Sequence, residues 1–460
     1  MKPLLEWIKS HLLVVVSTLV VLVVLPVGYI FSSKWNESIK TKRAAEVKAD
    51  LDKLNQKVSY AIPALDPSEP AVTQSDVPNA VRTEFFKKHR ESVLQQAEGV
   101  VTRAVEFNQR AHKPLVDGLF PDAKGEALQT LPFELADRLI GKEGRPSVYQ
   151  ELLDRVRAGG PRAADKLAPI LLDVETRERE AILGQNSSRQ LTTDETKRIL
   201  EKTTARRLGE YQARAREVTL YAGMDAFSVR SEGGMTQLRI KPKMLPSLEE
   251  CFSWQADFWM FSDVLEALAA ANTDSGGRPL TVDQGAVKRV IRILIKDSPY
   301  TKVEQSSSSS SGETKEAPAP ASPNAELKPD FAKSITGRWT GPENGMYDIR
   351  HATVEVIVDS AMLPRLFDAF AQTNFMTITN INLAEVDAWA ELERGFYYGD
   401  ASVVKATIDV ETVWLRSWMQ PWMPKGIRTR LGIPEDKPAE GDAAADPKNP
   451  DQKNPEKKDG

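Results

Sequence analysis

Between Leu12 and Phe31 the chain carries LLVVVSTLVVLVVLPVGYIF, an uncharged, mostly apolar run. At about 20 residues it matches the length a helix needs to cross a bilayer. No other stretch is comparable, so the expectation is one transmembrane helix (12–31) behind a short N-terminal stub (1–11), with nearly all the mass on one side. The competing reading is a secretory signal with Lys2 and Lys9 as its basic start. Against it, the apolar stretch exceeds a usual signal core, and Ser32, Ser33, Lys34 and Trp35 supply no small-x-small cleavage site. Orientation is not settled by charge. Lys34, Lys40, Lys42 and Arg43 after the run outnumber Lys2 and Lys9 before it, which favours a cytoplasmic bulk.

The remaining length allows two or three domains in a chain of 460 residues. A net charge of −4, with both signs mixed throughout, marks no nucleic-acid binder. The single cysteine, Cys251, excludes an intrachain disulfide framework and a thiolate metal cluster. Beside Phe252 and Trp254 it reads as a small buried apolar residue. His11, His89, His112 and His351 stand far apart with no HExxH pairing. No nucleophile elbow, phosphate loop or dinucleotide fingerprint is present. No enzyme activity, metal, cofactor or small-molecule substrate is therefore expected.

After the membrane run, Ala44, Val47, Leu51, Leu54, Val58 and Ala61 recur at alternating spacings of three and four, the seam of a coiled coil over 34–62 that Pro63 would stop. So short a seam is marginal alone and asks for a partner helix. The segment 79–221 reads as a helical stalk or bundle, with TRERE and QARARE as helix-supporting charge pairs.

The last third changes period. Pro246–Asn272 reads as a helix and Val287–Ile295 as a half-buried strand, with Val287, Ile291, Ile293 and Ile295 inward and Lys288, Arg292 and Lys296 outward. A serine- and proline-rich linker over 303–333 is expected to be disordered. Strand Thr353–Asp359, helix Ala361–Gln372, strand Phe375–Leu383 and strand Val404–Trp414 follow. The tail 433–460 reads as solvated. The class is α+β, one helical layer on one sheet over 246–415. Two local features stand out. Acids around Asp387 (Glu385, Glu391, Glu393) read as a solvated turn. Trp414, Trp418, Met419, Trp422 and Met423 ahead of Lys425, Arg428 and Arg430 read either as cover for their own sheet, as a docking surface, or as a lipid contact.

Apolar run, seam and helix–strand order together resemble the PilO-type inner-membrane components of type IV pilus machines and the GspM-like components of type II secretion. The resemblance rests on architecture over about half the chain, and the 79–221 segment and the Ser/Pro linker depart from it. It implies a C-terminal domain with a ferredoxin-like αββαββ order, placed in the periplasm of a bacterial cell and anchored in the inner membrane. It also implies a non-enzymatic scaffold, a homodimer or a heterodimer with a similar bitopic (PilN-like) protein, associating through residues such as Leu51, Leu54, Val58, Trp418 and Trp422. The alternative function is an extracytoplasmic ligand-binding or sensor module working with a separate signalling partner.

Overall fold

A computed structural model describes residues 12–54, 58–62, 72–76, 80–142, 144–184, 188–229, 244–301 and 327–433. They fall into two units, residues 1–101 and 102–460. The expected stub, the tail from 434 and linker residues 302–326 lie outside the described residues.

In the first unit, helix α1 (Leu12–Leu54) is continuous through the apolar run and the charged stretch behind it. It is long and apolar enough to span a membrane, and length and composition would qualify a signal sequence equally. Its apolar side chains stand open, Leu13 at 83% and Phe31 at 74% exposure. The seam does not continue as helix to Ala61. Val58–Ile62 is strand β1, paired antiparallel with β2 (Val72–Asp76). The correction has a local cause, since Val-Ser-Tyr-Ala-Ile is β-prone. Helix α2 (Ala80–Gln109) crosses the division between the units, and its apolar residues up to Val101, Phe85 and Val93 among them, are exposed.

In the second unit five strands form one mixed sheet in the order β3–β4–β5–β7–β6. They are β3 (Phe227–Val229), β4 (Val287–Ile295), β5 (Tyr347–Asp359), β6 (Met376–Glu385) and β7 (Val403–Leu415). Only β3 runs parallel to its neighbour. Strand β4 departs from simple alternation. Register shifts at Val287/Arg289 and Val290/Arg292 bring Val290 into the main core beside Ile293 and Ile295, and send Ile291 to a second cluster with Tyr221, Ile357 and Tyr398. Lys288, expected in solvent, is buried with its Nζ donating to Val282 O at 2.8 Å. Burial presses its pKa down.

The main core joins the sheet to α7 (Leu248–Ala271) and α8 (Leu363–Thr373), where Phe261, Leu265, Leu366 and Phe370 meet Val354, Val356 and Ile408. A capping box between Ser247 and Glu250 starts α7. The segment 79–221 is not wholly a separate stalk. Leu135 and Leu139 of α3 (Glu126–Ile140) and Tyr149, Leu152 and Leu153 of α4 (Val148–Arg155) belong to this same core. Their apolar stripes are satisfied by α7 and its neighbours rather than by a parallel helix. Helices α5 (Ala164–Leu183) and α6 (Thr193–Glu217) pack on each other.

Part of the expected linker is ordered. Asp330 N donates to Gly337 O at 2.8 Å, and Lys333 Nζ sits 4.3 Å over the Trp339 ring. This strap crosses to β7, where Thr336 Oγ1 donates to the buried Glu411. Two fully enclosed ion pairs, Arg350 with Asp257 and Arg416 with Asp348, tie α7, β5 and the chain after β7 together.

Candidate functional site at the end of helix α2

Helix α2 stops at Gln109 because Arg110 turns left-handed, φ 51°, while its N–H still reaches Glu106 O at 2.9 Å. A side-chain-bearing residue in that region carries a strain of about 1 kcal/mol. The turn places consecutive polar residues on different tasks. Asn108 is fully buried. Its Nδ2 donates to Asn374 Oδ1 at 2.9 Å and to Val413 O at 2.7 Å. Its Oδ1 accepts from Leu415 N and from Trp418 Nε1, each at 2.7 Å. Asn374 Nδ2 in turn donates to Asn108 O at 3.2 Å and to Asp263 Oδ2 at 2.6 Å. One amide thus links α2, the turn before β6, the end of β7 and the tryptophan segment.

Past the turn, Arg110 donates to Glu266 Oε2 at 2.6 Å, Asp263 Oδ1 at 3.4 Å and Thr373 O at 3.1 Å. His112, 8% exposed, lies 3.0 Å from Asp263 Oδ1, outside hydrogen-bond alignment. Its ring sits 5.7 Å from Trp259, 5.8 Å from Trp414 and 5.9 Å from Trp418. Trp259 Nε1 donates to Lys113 O at 3.1 Å, and Leu115 N to Gln255 Oε1 at 2.8 Å. The segment after α2 is therefore stitched along α7. Two clefts flank Lys113 and Pro114. One of about 480 Å³ is walled by Arg110, Arg138, Arg155 and Glu266. The other, of about 310 Å³, is lined by Phe120 and Trp422.

The arrangement is a joint made of hydrogen bonds and stacked rings, and its charged rim can hold ions or small polar groups. Among the described residues no group of three or more His, Cys, Asp or Glu is placed to hold a metal. Cys251 is fully enclosed, and burial pushes its thiol up to about 12, so it is no nucleophile at neutral pH. Asp387 caps α9 (Ala388–Glu393) through Trp389 N and Ala390 N. Glu391 pairs with Arg289 at 2.5 Å and accepts from Tyr398 OH at 2.7 Å. Two of the acids around Asp387 thus serve structure.

Of the residues expected to mediate association, Trp418 and Trp422 reach this site. Trp418 is 5% exposed and contacts Trp259, Trp414 and Trp422. Its surface is taken up by its own chain, so docking a partner through it would require dismantling the joint. Trp422 is partly covered, 5.8 Å from Trp259. Leu51 is 52% exposed on α1, Leu54 ends α1 and Val58 lies on β1. Asn108, Arg110, Asp263, Glu266 and Asn374 were missed. A signal existed for the acids: Ser253, Gln255, Asp257, Ser262, Asp263 and Glu266, all beyond Glu250, interrupt an otherwise apolar helix. Asn108 and Asn374 carry no periodic signal.

No known protein family matches the sequence, and no curated protein does. Among solved structures, a core domain from Akkermansia muciniphila is 9% identical, covering 42% of this chain and 75% of that one, with a TM-score of 0.21. A second protein from Akkermansia muciniphila is 8% identical over 62% of this chain and 92% of that one, at 0.23. A third from that organism, solved without its transmembrane region, is 8% identical over 64% and 98%, at 0.21. Scores this low do not establish a common fold.

Proposed function

We propose that this chain is a non-enzymatic, single-pass membrane scaffold of the PilO/GspM kind, its bulk in the periplasm, pairing with a second copy or with a similar bitopic protein. The observation that carries the reading is the topology of the C-terminal half. Helix α7, strands β4 and β5, helix α8 and strands β6 and β7 follow in αββαββ order, and the four strands lie side by side as β4–β5–β7–β6, all antiparallel. That is the neighbour order of a circularly permuted ferredoxin-like sheet. The apolar α1 supplies an anchor. Two open surfaces suit association. One is the seam of α1, with Val47 at 59% and Leu51 at 52% exposure. The other is the outer strand β6, whose Ile381 (39%) and Leu383 (48%) stand open, opposite the core-facing Ile408 and Ala406 of β7. Unpaired sheet edges readily recruit another chain.

The test has two arms. Alkaline phosphatase fused after Gly460 should be active, and a reporter that works only in the cytoplasm should be silent; the reverse pattern defeats the proposed topology. Two differently tagged copies, or one copy with its bitopic partner, should co-isolate. The double substitution Leu51→Asp/Leu54→Asp should abolish this while leaving the thermal unfolding of the second unit unchanged. Charges in a packed seam cost several kcal/mol, about what so short a pairing can supply. Undiminished co-isolation would remove the seam from the interface.

A further inference from the structure

We infer that the larger cleft beside the α2 joint binds a small organic anion through its carboxylate or phosphate oxygens. The floor is one face of α7. Trp259, Ser262 and Glu266 follow one another at spacings of three and four, so they stack along a single stripe. Arg138 of α3, Arg155 of α4 and the Arg110–Lys113 segment form the walls. At about 480 Å³ the space falls within the range of small-molecule sites.

Charge favours an anion. Four cationic side chains, Arg110, Lys113, Arg138 and Arg155, line the cleft against one carboxylate, Glu266. Glu266 is already engaged by Arg110 at 2.6 Å, Arg155 at 3.1 Å and the Ser262 hydroxyl at 3.1 Å. Asp263 and Glu151, which do not line the cleft, pair with Arg110 and Arg138. These acids fix the guanidinium groups in place without matching the number of positive charges.

A donor without an acceptor points the same way. Arg138 Nε is buried with no hydrogen-bond partner although its Nη1 meets Glu151 at 3.2 Å. A buried donor left unmet is costly, and a charged oxygen that only accepts is the strongest group to meet it. Water would satisfy this donor but not the surplus of positive charge, so the two occupants respond differently to substitution of the cations. This inference stands apart from the scaffold reading, since none of its residues belongs to the α1 seam or the β6 edge.

The experiment follows intrinsic tryptophan fluorescence of the full-length protein in detergent, with Trp259 in the cleft floor and Trp418 and Trp422 beside it. Sodium citrate and inorganic phosphate are titrated separately, with sodium chloride adjusted to hold ionic strength constant. A saturable change with a midpoint below about 1 mM is expected for at least one anion. Response to citrate alone assigns the site to carboxylates, and response to phosphate alone assigns it to phosphate esters. Arg155→Gln should shift the midpoint at least about tenfold. It alters a side chain that is 55% exposed, so folding is not at risk. Arg138→Gln should act in the same direction, and Arg177→Gln, on a side chain of α5 that is 75% exposed, should change nothing. No saturable response to either anion, or equal midpoints in all four proteins, would overturn the inference.

Discussion

Asn108 holds four groups with one uncharged side chain, and its two ends are not interchangeable: two carbonyl oxygens need its donors, while Leu415 N and Trp418 Nε1 need its acceptor. Asn108→Ala removes all four bonds and leaves buried groups unmet, a loss of about 3 kcal/mol or more. Asn108→Asp keeps the acceptor, loses both donors and introduces a buried charge near Asp263, so it should be worse than alanine. Denaturant unfolding of the full chain measures both, and an aspartate variant as stable as wild type would show that this amide is not the joint. Arg110 combines strain with utility. A glycine there would relax the left-handed backbone and forfeit the contacts to Asp263, Glu266 and Thr373 O.

At the scale of elements, the strap between Leu327 and Met346 is held to the sheet by charge. Thr336 Oγ1 and Arg338 Nη1 both donate to Glu411, and His351 on β5 lies between Asp297, 2.6 Å from Nδ1, and Glu411, 3.7 Å from Nε2. The hydrogen bond to Asp297, then the Glu411 carboxylate 3.7 Å away, raises His351 from 6.5 to about 9 against the opposing effect of burial. Burial works to raise the two carboxyls, and the bonds from His351 and its neighbours outweigh it, leaving both below their ordinary values. A histidine whose folded pKa is raised stabilises fully below its unfolded value, and that contribution fades as pH climbs through the folded one. Stability should therefore decline between pH 6.5 and about 9, with the carboxylates contributing pH dependence only in acid. With His351 37% exposed, screening limits the effect to about 1 kcal/mol. His351→Gln should flatten the decline in melting temperature across that window, and an unchanged slope would place the dependence elsewhere.

For the whole molecule, β4 and β5 are neighbours in the sheet of the second unit although a long stretch of sequence separates them. Ser298–Thr301 and the strap flank residues 302–326 in the sequence. Deleting Gln305–Pro323 should change unfolding free energy by less than about 1 kcal/mol, because closure entropy varies by only about 0.6 kcal/mol per doubling of loop length. Calorimetry of the deletion variant checks this, and loss of the unfolding transition would mean that the insertion packs against the domain.

Patterns of period and composition determined much of this molecule. The one-faced stripe of α8 (Leu366, Phe370) and the alternation of β5 (Val354, Val356) and β7 (Ile408, Val410) each follow from a repeat whose apolar members must leave water, and all six side chains lie in the main core. Where two bulges break the repeat, in β4, reading failed for Ile291 and Lys288. The end of the seam failed at Val58 because a β-prone stretch outweighed a helical spacing. Tertiary structure alone decided that α3 and α4 join the α+β core, since an amphipathic stripe specifies that a face is buried but not against what. It also decided the joint and the cleft. Asn108, Asp263 and Asn374 are separated by more than 100 residues in sequence, and a single buried hydrogen bond leaves no periodic trace. Only closure of the chain brings such groups within 3 Å of one another, and that closure is driven by apolar surface elsewhere.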